Sequence, residues 1–215
     1  MQASHSCPLC AGQDLNHYHR DKLRDYWQCS QCLLVFVAPE QHLSEAQEKQ
    51  RYDLHDNNIQ QQGYCDFLNQ LLIPLVVRLP TAAKGLDFGS GPGPTVSLLL
   101  AQQGFQVACY DKYYAADRTL LKVQYDFITS TEVLEHVREP AKVFQQLNHM
   151  LKPNGYLGIM TQLQPDKARF AKWHYKQDQT HICFYAVETF EWLAKRWNLS
   201  LEILGKDVII LRKGN

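Results

Sequence analysis

This chain has no apolar run long enough to cross a bilayer. Its longest, Cys32 to Ala38 and Leu71 to Val77, fall far short of the ~20 residues a membrane helix needs. An excess of charge is missing too, since 22 Lys and Arg balance 22 Asp and Glu. That excludes a bulk electrostatic grip on nucleic acid or on an anionic membrane. The opening Met1-Gln-Ala-Ser-His5 lacks the charged start and apolar core of a signal peptide, so a cytoplasmic location is expected. Internal repeats, low-complexity tracts and Gly/Ser linkers are also absent. What remains is 215 residues with 45% hydrophobic content, enough for one full core and a small appendage.

Seven cysteines stand out against that plain background. In a reducing compartment they are expected as free thiols or metal ligands. Cys7-Pro-Leu-Cys10 and Cys29-Ser-Gln-Cys32 are two CxxC knuckles about eighteen residues apart, the spacing of a zinc ribbon. Four thiolates so arranged fill a tetrahedron around a structural Zn2+. Strand-like sequence follows each knuckle, Tyr18 to Tyr26 and Leu33 to Ala38. Cys65, Cys109 and Cys183 are scattered and read as packing residues.

The densest information lies in residues 84–111. Lys84-Gly-Leu-Asp87-Phe-Gly89-Ser-Gly91-Pro-Gly93 is an apolar strand running into a turn with three alternating glycines. A second strand, Phe105 to Tyr110, ends on Asp111, about twenty residues later. A doubly wound α/β sheet holds an adenosine-containing ligand this way, with the acid positioned for the ribose hydroxyls. The spacing separates cofactors: a dinucleotide fingerprint reads G-x-G-x-x-G, whereas Pro94 occupies its third glycine position. An acid, Asp87, also sits inside the first strand's end, two residues before the turn.

This pattern resembles motif I of class I S-adenosylmethionine-dependent methyltransferases. The resemblance continues through Tyr125-Asp-Phe-Ile-Thr-Ser130-Thr131-Glu132-Val-Leu-Glu135-His136-Val, like the family's fourth strand and following loop. Leu151-Lys-Pro-Asn-Gly155-Tyr-Leu is similar to the phrase that opens its fifth strand. A Rossmann-like sheet follows, with strands at 84–89, 105–110, 125–130, 155–161, 199–204 and 207–212 and helices at 94–103, 140–151 and 187–197. Residues 1–40 are expected as the zinc ribbon, 41–80 as a helical cover over the cofactor site, and 81–215 as the methyltransferase domain. One departure stands out. Only Lys112 to Gln124 separates strand two from strand four, too few residues for two crossovers. The family's third strand is therefore expected to be missing, along with the acid that contacts adenine; Tyr113, Tyr114 or Leu120 would have to cover the base.

Ligands in such sheets lie beyond the carboxyl ends of the strands. The resemblance thus implies cofactor contacts from Asp87, Gly89, Gly91, Gly93, Tyr110, Asp111, Ser130 and Thr131. Tyr52, and after it His55, would reach the methionine end from the cover. Glu132 is the expected acid at the transfer centre, with Glu135 and His136 read either as functional or as helix caps. The loop 169–185 is dense in polar and aromatic residues, and Asp178 with His181 is its expected acid–base pair, beside His174.

The whole order resembles bacterial ribbon-bearing methyltransferases, whose pattern does not fix the acceptor; a small-molecule methyltransferase using S-adenosylmethionine is the leading expectation. An RNA methyltransferase is the competing reading, but in the ribbon Arg20, Lys22 and Arg24 are offset by Asp14, Asp21, Asp25 and Glu40, a poor phosphate surface. A scaffold on a decayed fold is the third, against which the intact glycine turn and Asp111 stand. Neither the methyl acceptor nor the oligomeric state is legible.

Overall fold

The computed structural model describes residues 5–54 and 58–215; His55 lies outside them. A six-stranded mixed sheet forms the centre, in the order β5-β4-β6-β7-β10-β9. Its parallel part comprises β4 (Lys84–Phe88), β5 (Gln106–Tyr110), β6 (Tyr125–Thr131) and β7 (Leu151–Met160). The antiparallel hairpin β9 (Leu199–Leu204) and β10 (Val208–Lys213) closes one edge through β7. Helices α2 (Gln62–Val76) and α3 (Thr95–Ala101) cover one face, burying Leu68, Leu71, Leu72, Leu75 and Leu100 against Phe127 and Ile210. Helices α4 (Pro140–Met150) and α6 (Val187–Trp197) cover the other with Phe144, Leu147, Phe190 and Leu193. Their apolar residues recur at helical spacing, which is why each helix buries one stripe.

Between β5 and β6 there is no strand, only a short bridge from Asp111 to Ala115 and a 3-10 turn at Arg118–Lys122. The family's third strand is absent, as the length of that segment requires. Helix α2 runs through Pro74 to Val76. Pro74 sits in its last turn, where a missing N–H and a local kink cost least.

The ribbon departs from a simple reading in two respects. Tyr18 to Tyr26 is not one strand but the hairpin β1 (Leu15–Arg20) and β2 (Asp25–Cys29). The Asp21 carboxylate turns the chain by accepting from the Leu23 and Arg24 amides, local competition of the kind that favours turns over strands. Strand β3 (Val35–Val37) pairs with β2, and its far edge pairs with β8 (Cys183–Phe184). The ribbon sheet therefore includes a strand from the segment after β7, so residue 40 is not a seam. Rings join the two parts: Phe184 and Phe170 pack on Tyr26, and Trp173 on both phenylalanines.

Because Phe184 is fully buried at this junction, Phe184→Ala should cost about 3–5 kcal/mol and lower Tm by roughly 10 °C. Scanning calorimetry of the wild type should show one transition, since ribbon and sheet share that core. Two separate transitions, with only the first moved by the substitution, would refute a shared core.

Candidate active site

One cavity of about 790 Å³ opens at the carboxyl ends of β4, β5 and β6. The glycine turn forms its floor. Gly89 and Gly91 have φ of +83° and +63°, and a Cβ on Gly89 would collide with Val133. Both glycines are needed: the first for conformation and space, the second for conformation. The turn is tied to β5, for Gly89 N–H donates to the Tyr110 carbonyl at 2.7 Å and Gly91 N–H to Asp111 Oδ2 at 3.0 Å. Asp111 Oδ1 accepts from the Tyr113 and Tyr114 amides at 2.7 and 3.1 Å. Three backbone donors thus fix this carboxylate, which keeps fewer lone pairs for a ribose than an acid without such ties. Asp87 is buried and accepts from Thr129 Oγ1 at 2.8 Å. Burial pushes its carboxyl up to about 7 despite that hydrogen bond, and the charge on Asp111 adds to the rise.

Across the cavity stands a cluster of acids and rings. Glu132 has φ +52°, so β6 ends in a left-handed residue that turns the chain into a 3-10 turn at Leu134–His136. The Tyr175 hydroxyl lies 2.5 Å from Glu135 Oε1, 3.2 Å from Glu132 Oε2 and 3.3 Å from Thr161 Oγ1. Burial drives both glutamates well above the usual carboxylate range, and their mutual repulsion lifts Glu132 further. A phenol has one proton to give, and the shortest contact takes it. The longer contact to Glu132 is then best made by the proton that Glu132 itself retains. Glu132 Oε1, on the cavity wall, and Glu135 Oε2, behind it, are buried with no hydrogen-bond partner among the described residues; the first marks a place for a ligand group.

Two imidazoles complete this side. His181 Nδ1 donates to the Tyr175 carbonyl at 2.7 Å and His136 Nδ1 to the Thr180 carbonyl at 3.2 Å. A carbonyl only accepts, so in each neutral ring the basic lone pair falls on Nε2. The rings meet at 4.6 Å, with Tyr175 at 4.2 Å from His181 and Tyr52 edge-on to His136 at 5.2 Å. Donor atoms of Glu135, His136 and His181 lie within 4.8 Å of one another, a compact polar focus facing the glycine turn.

Comparison with known proteins agrees with this geometry. Residues 56–203 match a family model described as a methyltransferase domain. The chain belongs to that methyltransferase domain family. Ubiquinone biosynthesis O-methyltransferases of Shewanella pealeana and Serratia proteamaculans are 32% and 30% identical over 91 residues, 42% of this chain. The match takes in only 39% and 38% of those relatives' own length. Among solved structures, CalO1, a methyltransferase of calicheamicin biosynthesis with bound S-adenosylhomocysteine, superposes with TM-score 0.53 at 12% identity, covering 80% of this chain and 59% of that one. The Pyrococcus horikoshii PH0226 protein gives 0.52 at 18% identity, covering 77% and 99%. These likenesses establish the fold.

Within this methyltransferase domain the structure gathers most, but not all, of the expected residues. Asp87, Gly89, Gly91, Gly93, Tyr110, Asp111, Thr131, Glu132, Tyr52, Asp178 and His181 line the cavity. Ser130 does not: along β6 the side chains alternate, and Ser130 is buried on the opposite face from Thr129 and Thr131. His174 is exposed and away from the cavity, at the start of a 3-10 turn that buries Tyr175 instead. The expected Asp178–His181 pair is recast. Asp178 Oδ1 closes a turn on the Thr180 amide and hydroxyl, and His181 is oriented by the Tyr175 carbonyl. Tyr52 stands edge-on to His136, beside the cluster of acids and imidazoles. Tyr175 was missed as a site residue; its only signal was membership of the dense 169–185 loop.

The glutamates make a stability prediction with a definite sign. Below about pH 4.5 both folded and unfolded chains hold these protons, so burial has no titration cost. As pH rises the unfolded chain ionises freely while the buried pair resists, and stability falls until the folded pair itself ionises. Glu135→Gln should therefore leave stability little changed at pH 4.5 and raise it by on the order of 2 kcal/mol at pH 8. Denaturant unfolding at the two pH values checks this; a variant destabilised more at pH 8 than at pH 4.5 would contradict it.

Proposed function

We propose that this protein transfers a methyl group from S-adenosylmethionine to an oxygen of a small acceptor. The observation that carries the reading is a single cavity with an adenosine-type turn at one end and a proton-accepting cluster at the other. The residues fit the cofactor: left-handed glycines let backbone approach it, Asp87 offers its ammonium a carboxylate, and Asp111 offers its ribose an acceptor. When bound, S-adenosylmethionine supplies an electrophilic methyl on a sulfonium. The protein's task is then alignment and proton removal. His181 Nε2 is placed to take the acceptor's hydroxyl proton, and an ionised Glu135 within 4.8 Å stabilises the imidazolium so formed. An oxygen acceptor needs such a base, whereas a tertiary amine acceptor does not. Tyr52, Tyr175 and the imidazoles give flat walls suited to a ring. The O-methyltransferase relatives support the same choice.

Burial of Arg24 and pairing of Arg20 with Asp25 leave the ribbon almost without free cations, which speaks against an RNA substrate. No helix among the described residues is long and apolar enough to cross a membrane. We further propose that the ribbon carries a structural Zn2+. The four thiol sulfurs of Cys7, Cys10, Cys29 and Cys32 lie within 4.8 Å of one another, with contacts of 3.5 Å (Cys7–Cys32) and 3.4 Å (Cys10–Cys29). Tetrahedral zinc with sulfurs at about 2.3 Å spaces them by nearly these distances. Left-handed Ala11 and Leu33 follow the two knuckles, each donating its amide back to the first cysteine's carbonyl, so the two halves are built alike.

Calorimetric titration with S-adenosylhomocysteine should show saturable micromolar binding, and absence of binding at millimolar ligand would overturn the reading. Affinity should fall up to tenfold per unit as pH drops below about 7, because an ammonium prefers ionised Asp87 and protonation removes that preference. Asp87→Asn should flatten this profile; an unchanged slope would remove Asp87 from the ammonium site. Cys29→Ser should purify with its zinc content greatly reduced by metal analysis, and full occupancy would contradict a tetrathiolate site.

A further inference from the structure

Among the described residues Arg24 is the one guanidinium buried in the core, only 5% exposed. It leaves the ribbon's hairpin turn and enters the loop that follows β7. Its Nη1 donates to the carbonyls of His181 at 2.9 Å and Gln179 at 3.1 Å. Its Nη2 donates to those of Lys176 at 2.5 Å and Asp178 at 3.1 Å. Four terminal N–H groups thus meet four backbone carbonyls within six residues. A second tie runs beside it: Lys176 Nζ and the Tyr26 hydroxyl both reach Asp21 Oδ2, at 3.1 and 2.7 Å. Strand β3 takes the next stretch, with Val37 N–H donating to the Ile182 carbonyl at 2.9 Å.

The loop so held is the acceptor side of the cavity. His181 hangs from it, and Ile182 N–H donates to the Glu135 carbonyl at 2.7 Å, which sets the imidazole against the carboxylate pair. Among the described residues the cofactor side shows no such link to the ribbon: the glycine turn and Asp111 are held by β5 and the 113–115 segment after it. Strand β2 connects the clamp to the thiol cluster directly. Arg24 precedes its first residue and Cys29 is its last.

We propose that Arg24 is a positioning residue through which the ribbon sets the 176–181 loop and His181, so that metal in the ribbon governs the acceptor side and not the cofactor side. This rests on the methyltransferase reading for the meaning of the two sides. The clamp itself is independent of it. A planar fork suits four converging carbonyls, and an ammonium at the same place cannot reach them all. Loss of the fork leaves several buried carbonyls without donors, so the loop reopens to water.

Hydrogen exchange read by mass spectrometry or NMR, together with S-adenosylhomocysteine calorimetry, tests the proposal on the full chain. The forms compared are the zinc-loaded wild type, the chelator-treated wild type, Arg24→Lys and Arg24→Ala. In the last three, amides of residues 178–184 should exchange at least tenfold faster than in the loaded wild type. Exchange at 89–93 and the dissociation constant for S-adenosylhomocysteine should stay within twofold. Methylguanidinium added to Arg24→Ala should restore protection of 178–184, which a merely structural role would not give. Unchanged protection of the loop overturns the clamp. Parallel loss of protection at 89–93 and of ligand binding also overturns it, because the ribbon would then stabilise the whole chain without choosing a side. Failure of the loaded wild type to bind ligand overturns the methyltransferase reading instead, and the exchange pattern alone then decides the clamp. Arg24→Lys keeps the test open should Arg24→Ala fail to fold.

Discussion

The buried guanidinium of Arg24 is the constraint around which ribbon and loop are organised. Taking an arginine out of water costs several kcal/mol unless its donors are met. Here backbone carbonyls meet four of them, while among the described residues Nε has no partner. Asp21 is the nearby counter-charge; although burial opposes it, donors from Tyr26, Leu23, Arg24 and Lys176 hold its carboxyl well below the usual range. Neither partner in this arrangement is stable alone. Without the loop, Arg24 would be an unpaired buried cation or a surface one. Without Arg24, the loop would turn its carbonyls inward with nothing to satisfy them. The ring cluster of Tyr18, Tyr26, Phe170 and Phe184 packs around this polar centre, excluding water and strengthening each of its hydrogen bonds.

The cavity illustrates the opposite condition, polar groups left incompletely satisfied. Asp87, Glu132 and Glu135 all have carboxyls raised by burial, and two of their oxygens lack partners. A fold selected for stability alone would not set Asp87 and Glu132 in the wall of one opening with Glu135 buried behind them. Their placement gives the site a stored demand for positive charge or for protons, at opposite ends of one cavity. A cationic ligand answers the first demand and a proton-releasing acceptor the second. Stability is given up where chemistry is expected.

Much of this could be read in the sequence because the signals are local. The strand-to-glycine turn at 84–93, the acid at 111 and the Pro-x-Gly phrase in the first half of β7 each combine hydrophobic pattern with residues of special backbone preference. The observed strands and helices accordingly start and stop close to where those patterns place them, and the short 112–124 segment foretold the missing strand. What stayed hidden depends on contacts distant in sequence. Arg24 lies among Asp21, Lys22 and Asp25 and reads as surface charge; its partners are more than 150 residues away and are backbone atoms, which leave no side-chain signature. Asp178 looked like a partner for His181 by spacing, yet a threonine two residues on competes for it locally. Ser130 was misjudged because β6 alternates faces and no neighbour in sequence says which face meets the cavity.

The shortened sheet and the cover are one problem. The segment 112–124, which lacks the third strand, supplies Lys112 and Tyr114, and these bind α1 (Glu45–Tyr52) and its cap at Glu45 and Asp53, each at 2.6 Å. Arg138 holds Glu48 at 3.0 Å. Helix α1 has no buried residue, so these exposed contacts, worth about 0–1 kcal/mol each, carry most of its attachment. By contrast α2 is fixed by five buried side chains. The cover is therefore the part of the cavity wall that opens at least cost. Tyr52 from α1 and Tyr113 from the shortened segment face each other at 5.9 Å across its mouth. Rings that already touch leave no space between them, so Tyr52, packed on Tyr113 and His136, supplies the apolar contact that α1 has beyond its exposed polar ties. The residues that replace the lost strand thereby tie the cover to the sheet.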